Sequence, residues 1–214
     1  MNRPSAFMFA IVIALSTVTS AQTRVGFHVG TQISTLSRPT HSNLEWNWIG
    51  KVSGGISFDV ACAESFLLAA QVDLVQKWTG LNQSPFTEPD SYIIYHTTLK
   101  ANYLEIPVYF RWRPINTTIK WFAEVGPKVS FLISASAEMS PAYSSNWTRD
   151  VKDQLRSTDV GFALGSGVEV EVVRSVCLTC SAHYTHGLVG IFQGSSNDPK
   201  VIGVQAGIGV MIVM

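Results

Sequence analysis

The chain lacks a charge excess, is poor in charge of either sign, and has no long apolar run after its first residues. Lys and Arg number 15 and Asp and Glu number 15, so the formal net charge is zero. Nucleic-acid binding calls for a basic surplus, so that partner is excluded. Only 14% of the 214 residues are charged, against about 25% in an average soluble domain, yet 46% are hydrophobic. A membrane helix needs about 20 consecutive apolar residues, and no segment supplies them. The apolar content is therefore dispersed, as lipid-facing strands require. Cysteine is also scarce. Cys62, Cys177 and Cys180 make an odd count, which a closed disulfide framework does not leave. Cys177 and Cys180, three residues apart in an extended segment, point to opposite faces and lack the helix N-terminus that a redox pair uses.

What is present begins with a leader. Arg3 gives a positive start, Ala6 to Leu15 form an apolar core, and Thr19-Ser20-Ala21 offers small residues before a cut. Residues 1–21 read as a secretory signal peptide and 22–214 as one domain.

From Asp159 to Val173 two chemistries alternate. Val160, Phe162, Leu164, Val168, Val170 and Val172 share one face; Gly161, Ala163, Gly165, Gly167, Glu169 and Glu171 share the other. Side chains of a strand alternate in this way, so the stretch is a strand with an apolar wall and a small, charged wall. The pattern recurs seven more times, over about Thr23–Ile33, Lys51–Ala61, Ser65–Trp78, Thr98–Arg113, Thr118–Ala135, Ser175–His186 and Val201–Met214. The connections alternate between short (Cys62–Glu64, Pro114–Thr117, Arg174) and long (Ser34–Gly50, Thr79–Thr97, Ser136–Ser157, Leu188–Lys200). Compact soluble domains seldom carry several loops beyond about 12–15 residues, whereas outer-membrane barrels put short turns in the periplasm and long loops outside the cell.

Volume decides which wall faces inward. Roughly forty bulky apolar side chains would overfill the interior of an eight-stranded barrel, which side chains only just fill. The opposite parity mixes Gly, Ala and Ser with matched charges: Arg24, Lys51, Lys77, Arg111, Arg113 and Lys128 against Asp59, Asp73, Glu105, Glu124, Glu169 and Glu171. Buried charges are tolerated when paired. The expectation is an all-β fold, an eight-stranded antiparallel up-and-down transmembrane β-barrel, with apolar residues toward lipid and an ion-pair lattice plugging the lumen. Trp78, Trp112 and Trp121 fall near strand ends, where amphipathic rings favour a membrane–water boundary.

Tyr103-Leu104-Glu105-Ile106-Pro107-Val108, Ala123-Glu124-Val125-Gly126-Pro127-Lys128, the run from Asp159 through Gly165-Ser166-Gly167-Val168-Glu169, and Tyr184-Thr185-His186-Gly187-Leu188 occur in order over nearly the whole mature chain. Together they resemble the porin-like outer-membrane β-barrel domain family of Gram-negative bacteria. The resemblance implies an eight-stranded outer-membrane barrel and no single activity, one branch of the family serving type IX secretion. It also implies that Glu105 and Glu124 are lumen acids near Arg111 and Lys128, and that Pro107 bends or unpairs its strand. The terminal Met214 and the cysteine-bearing seventh strand depart from the family pattern.

Sites of chemistry are few. His28 and His183 can approach across the last strand, but no acidic or Cys cluster lies at matching depth to complete a metal site. Ser181, His183 and Glu169 do not form a nucleophile elbow, which argues against a membrane-embedded hydrolase or acyltransferase. The reading is therefore non-enzymatic, with no cofactor. Trp46, Trp48, Phe86, Tyr92, Tyr143 and Trp147 sit in long loops and are candidates for contacts with sugars, headgroups or proteins. The expected partners are outer-membrane lipids, the barrel-insertion machinery and other envelope proteins. The expected role is structural, adhesive or in envelope assembly; the alternatives are a small-solute channel or a soluble lipid-binding barrel.

Overall fold

Strand alternation builds nearly all of the molecule. The computed structural model describes residues 23–37, 46–81, 95–114, 119–141, 146–192 and 199–214. Its strands are β1 (Thr23–Leu36), β2 (Trp46–Ala63), β3 (Phe66–Leu81), β4 (Tyr95–Trp112), β5 (Lys120–Pro141), the short β6 (Trp147–Asp150), β7 (Thr158–Val173), β8 (Val176–Gly187) and β9 (Val201–Val213), with one 3-10 turn at Lys152–Gln154. Each strand of the barrel pairs antiparallel with its neighbours in sequence, and β1 pairs with β9 from Arg24↔Val213 to Leu36↔Val201. That seam closes an eight-stranded barrel; β6 is an added strand on the upper part of β5.

The closed cylinder leaves no free edge in hydrocarbon, where every backbone polar group needs a partner within the protein. Phe162, Leu164 and Ile208 are 39%, 55% and 64% exposed on the outer wall, while Lys128 and Glu169 are 2% and 1% exposed within. The apolar parity faces out. At the short-turn end the outer wall carries aromatic pairs: Trp112 against Trp121, edge on with centroids 4.8 Å apart, and Phe66 stacked on Phe110 at 5.1 Å. This is the girdle that amphipathic rings form at a membrane boundary.

Two features differ from the sequence reading. The strands run further outward than the apolar pattern: β2 begins at Trp46, β4 at Tyr95, and β5 reaches Pro141. Ladder hydrogen bonds need no apolar side chain, so pairing continues past the point where the lipid-facing pattern stops. Trp46, Trp48 and Trp147 accordingly lie on strands, not in loops; Phe86, Tyr92 and Tyr143 lie outside the described residues.

The alternation is also broken by bulges. One lies on β2 between Ile49 and Ser53. Another lies on β5, where Asn102 faces Ser134 but Tyr103 faces Leu132. Each inserts one residue and reverses which parity faces in. Beyond the second bulge Ala135, Ala137 and Met139 turn into the barrel.

Gly126 shows how crowded the interior is. A Cβ there would lie 1.8 Å from the Val108 carbonyl oxygen, where β4–β5 pairing lapses just after Pro107. The obstacle is backbone and cannot swing aside. Gly126→Ala is therefore expected to destabilise the barrel by about 1–3 kcal/mol in a folding titration; an unchanged midpoint would refute the close approach.

Candidate functional site

Among the described residues the lumen is where chemistry-bearing side chains converge, and the inward parity of seven strands supplies it. Near the short-turn end Arg24 on β1 reaches Asp59 on β2 and Glu169 on β7, each at 2.6 Å. Arg111 on β4 binds the same Asp59 oxygen and Glu124 on β5, again at 2.6 Å. Arg113 bonds the second oxygen of Glu169 at 3.0 Å. Three guanidinium groups thus face three carboxylates, and the Arg111 guanidinium also rests 4.4 Å from the Phe122 ring. Such short, charge-assisted contacts are the strong kind, and their alternating signs offset desolvation that would otherwise forbid them.

Midway along the lumen each histidine has its own acid. His28 lies 2.8 Å from Asp73. His183 lies 2.5 Å from Glu124 and stacks on Tyr109. The two rings are not brought onto a shared ligand. Further outward Glu105 gathers Lys77 at 2.5 Å, Lys128 at 3.1 Å and the Ser130 hydroxyl at 2.9 Å, and buried Asp159 lies in the field of both lysines. Two cations again meet two acids.

Of the residues singled out from sequence, Asp59, Asp73, Lys77, Glu105, Arg111, Arg113, Glu124, Lys128 and Glu169 line this interior. Glu171 sits instead at the exposed short-turn mouth, 3.6 Å from Lys120. Lys51 is not in the lumen network. The β2 bulge displaces it, and its Nζ lies over the Trp78 ring, 3.7 Å from the centroid. Trp78 shares its parity on β3 with exposed Leu74, so this contact is on the outer wall.

Sequence reasoning missed the cap. Above Tyr103 the charges give way to an apolar cluster bordered by buried Thr79 and Thr97: Leu99, Ala101, Leu132, Met139 and Val201 pack against Val151, Leu155 and Ile191 from the connections beside β7 and β9. Leu155 bridges Phe192, and Arg156 donates its Nε to the Phe192 carbonyl at 3.0 Å and its backbone N–H to Ile191 at 2.8 Å. Val151 and Leu155, two apolar residues four apart in a polar stretch, were the available signal. Among the described residues a cavity of about 20 Å³ lies under the cap and one of about 30 Å³ beside His28 and His183. Each has room for about one water.

Fold and interior together define an integral membrane barrel with a filled lumen. A family model of the outer membrane protein β-barrel domain matches residues 20–193, and the chain belongs to that family. Similar solved structures include OprG from Pseudomonas aeruginosa (10% identity over 91% of this chain and 95% of that one, TM-score 0.49). Others are a major outer membrane protein from Thermus thermophilus (9%, 89% and 99%, TM-score 0.47) and Ail, the attachment invasion locus protein of Yersinia pestis, solved with a heparin analogue (12%, 89% and 99%, TM-score 0.43). No curated protein matches the sequence.

Proposed function

We propose that this outer-membrane barrel conducts no solute and acts as a rigid anchor, exported behind a cleaved leader of residues 1–21, that presents its outward segments for adhesion or envelope assembly. The observation that carries this reading is the interior: ion pairs fill the cylinder from Arg24 to Lys128, and apolar side chains close its outer mouth. Eight strands enclose too little space for a water channel once such side chains occupy it. A recess of about 250 Å³ at the periplasmic mouth is lined by Arg24, Arg113 and Glu169, the pairs that block further passage.

Trp48 and Trp147 support a presenting role, since they are 53% and 42% exposed on strands held firm by the barrel. Rigid aromatic side chains make contacts at low entropic cost.

Planar-bilayer recording tests the proposal. Purified protein is expected to give no steady open-state current at any voltage that intact bilayers survive. A sustained unitary conductance would make the protein a channel and overturn the proposal. Mass spectrometry of the outer-membrane form is expected to find an N-terminus at residue 22.

A further inference from the structure

The outer wall carries a feature that the sealed-anchor reading leaves unused. Two lysines converge on one tryptophan: Lys51 Nζ stands 3.7 Å and Lys100 Nζ 4.5 Å from the centroid of the Trp78 ring. Lys100 also pairs with Glu138 on β5, the one carboxylate within ion-pair range of either lysine among the described residues. The group is left with a net positive charge at one spot on a neutral protein.

Its depth can be read from the strands. From Phe66, in the aromatic girdle, to Gln76 on the same face of β3 is ten residues. At about 3.3 Å per residue and a tilt of about 40° they climb about 25 Å, the height of the lipid-facing band. Gln76, Asn102 and Ser134 form a polar row there, with Asn102 donating to the Ser134 hydroxyl at 2.8 Å. Trp78 and Lys100 are opposite one another in the next row outward. The lysines therefore sit where headgroups begin, on the side of the long connections.

Directly below them the wall is hollow. A groove of about 430 Å³ runs along Val52, Gly54, Leu74, Gln76, Asn102 and Ile133. Gly54 lies between Val29 and Leu74 in register and contributes no side chain to the wall. A cationic pair at headgroup height over an apolar groove matches a phosphate-bearing lipid: the phosphate drawn to the two ammonium groups, an acyl chain along the groove. Basic side chains near a membrane surface attract anionic headgroups in this way.

We infer that the outer wall over β2–β5 holds a phosphorylated lipid of the leaflet facing the long connections, bound through Lys51, Lys100 and Trp78. Solute passage has no part in the inference; only the direction of the long connections does, so its failure leaves the sealed lumen standing.

Native mass spectrometry of the folded barrel in detergent tests the inference. The probes are diphosphorylated lipid A, the same lipid without its phosphates, and inorganic phosphate. Wild type is expected to retain the phosphorylated lipid roughly tenfold more tightly than the Lys51→Gln/Lys100→Gln double variant, with the two proteins equal toward the dephosphorylated lipid. Heat-modifiable migration on gels verifies that the double variant is folded. Gly54→Val, which fills the groove, is expected to weaken lipid retention as well. Equal retention by wild type and double variant would overturn the site. Displacement of the lipid by equimolar inorganic phosphate would reduce it to a free-anion site and overturn the lipid assignment. Full retention by a folded Gly54→Val would remove the groove from it.

Discussion

Asp59→Ala is expected to lower the folding free energy by about 3–5 kcal/mol, the range for removing one partner of a buried ion pair. Asp59 is fully buried and one of its oxygens accepts from both Arg24 and Arg111 at 2.6 Å. Without it two guanidinium groups face one another in a lumen with no bulk water to screen them. Arg24 keeps Glu169 and Arg111 keeps Glu124, so the barrel keeps its fold and loses stability. A reversible urea titration into phospholipid vesicles, followed by tryptophan fluorescence, measures the change. Glu171→Gln at the exposed mouth serves as the comparison and is expected to shift the midpoint little, because screened surface pairs contribute little. If the two variants titrated alike, the buried network would not be what holds the interior together.

The second large effect belongs to the outer wall. Ile208 lies near the middle of β9, opposite Val29 on one side and Cys180 on the other, and is 64% exposed. Ile208→Arg places a guanidinium at the depth where lipid solvates it worst, and is expected to cost about 2–4 kcal/mol in the same titration. An arginine at Thr98, on the outward row beyond Lys100, is expected to cost much less, since the penalty falls toward the interface. Equal costs at the two depths would contradict the membrane orientation.

The cylinder itself was legible in the sequence because one wall is apolar and the other is not. Val160, Phe162, Leu164 and Val168 facing lipid follow from period two, and Asp59, Glu105, Glu124 and Glu169 as buried acids follow from the opposite parity and the volume limit. Where alternation holds, side-chain direction is determined by counting. Lys51 shows the limit of counting: the extra residue between Ile49 and Ser53 moves it from the lumen to the Trp78 ring, and a bulge carries no compositional mark here. The bulge beside Ile133 hid the inward turn of Ala135, Ala137 and Met139 in the same way.

The cap was hidden for a different reason. Leu99 and Val201 come from barrel strands, Val151 and Ile191 from two separate connections. Their meeting is set by tertiary closure across the mouth, and no local period encodes it. Partner choice within the lattice was similarly invisible. That His183 takes Glu124 while His28 takes Asp73 depends on strand register across the cylinder, not on either strand alone.

The seam between β1 and β9 bears on how the protein is made. The strand nearest the start of the chain finds its second neighbour only in the strand nearest the end. Until that last strand is delivered, the growing sheet has two raw margins that the bilayer interior does not tolerate. Closure of the cylinder therefore waits on β9, whatever the order in which the other strands pair. A nonsense mutation ahead of Val201 would remove the strand that joins β1 to β8 and leave both margins open.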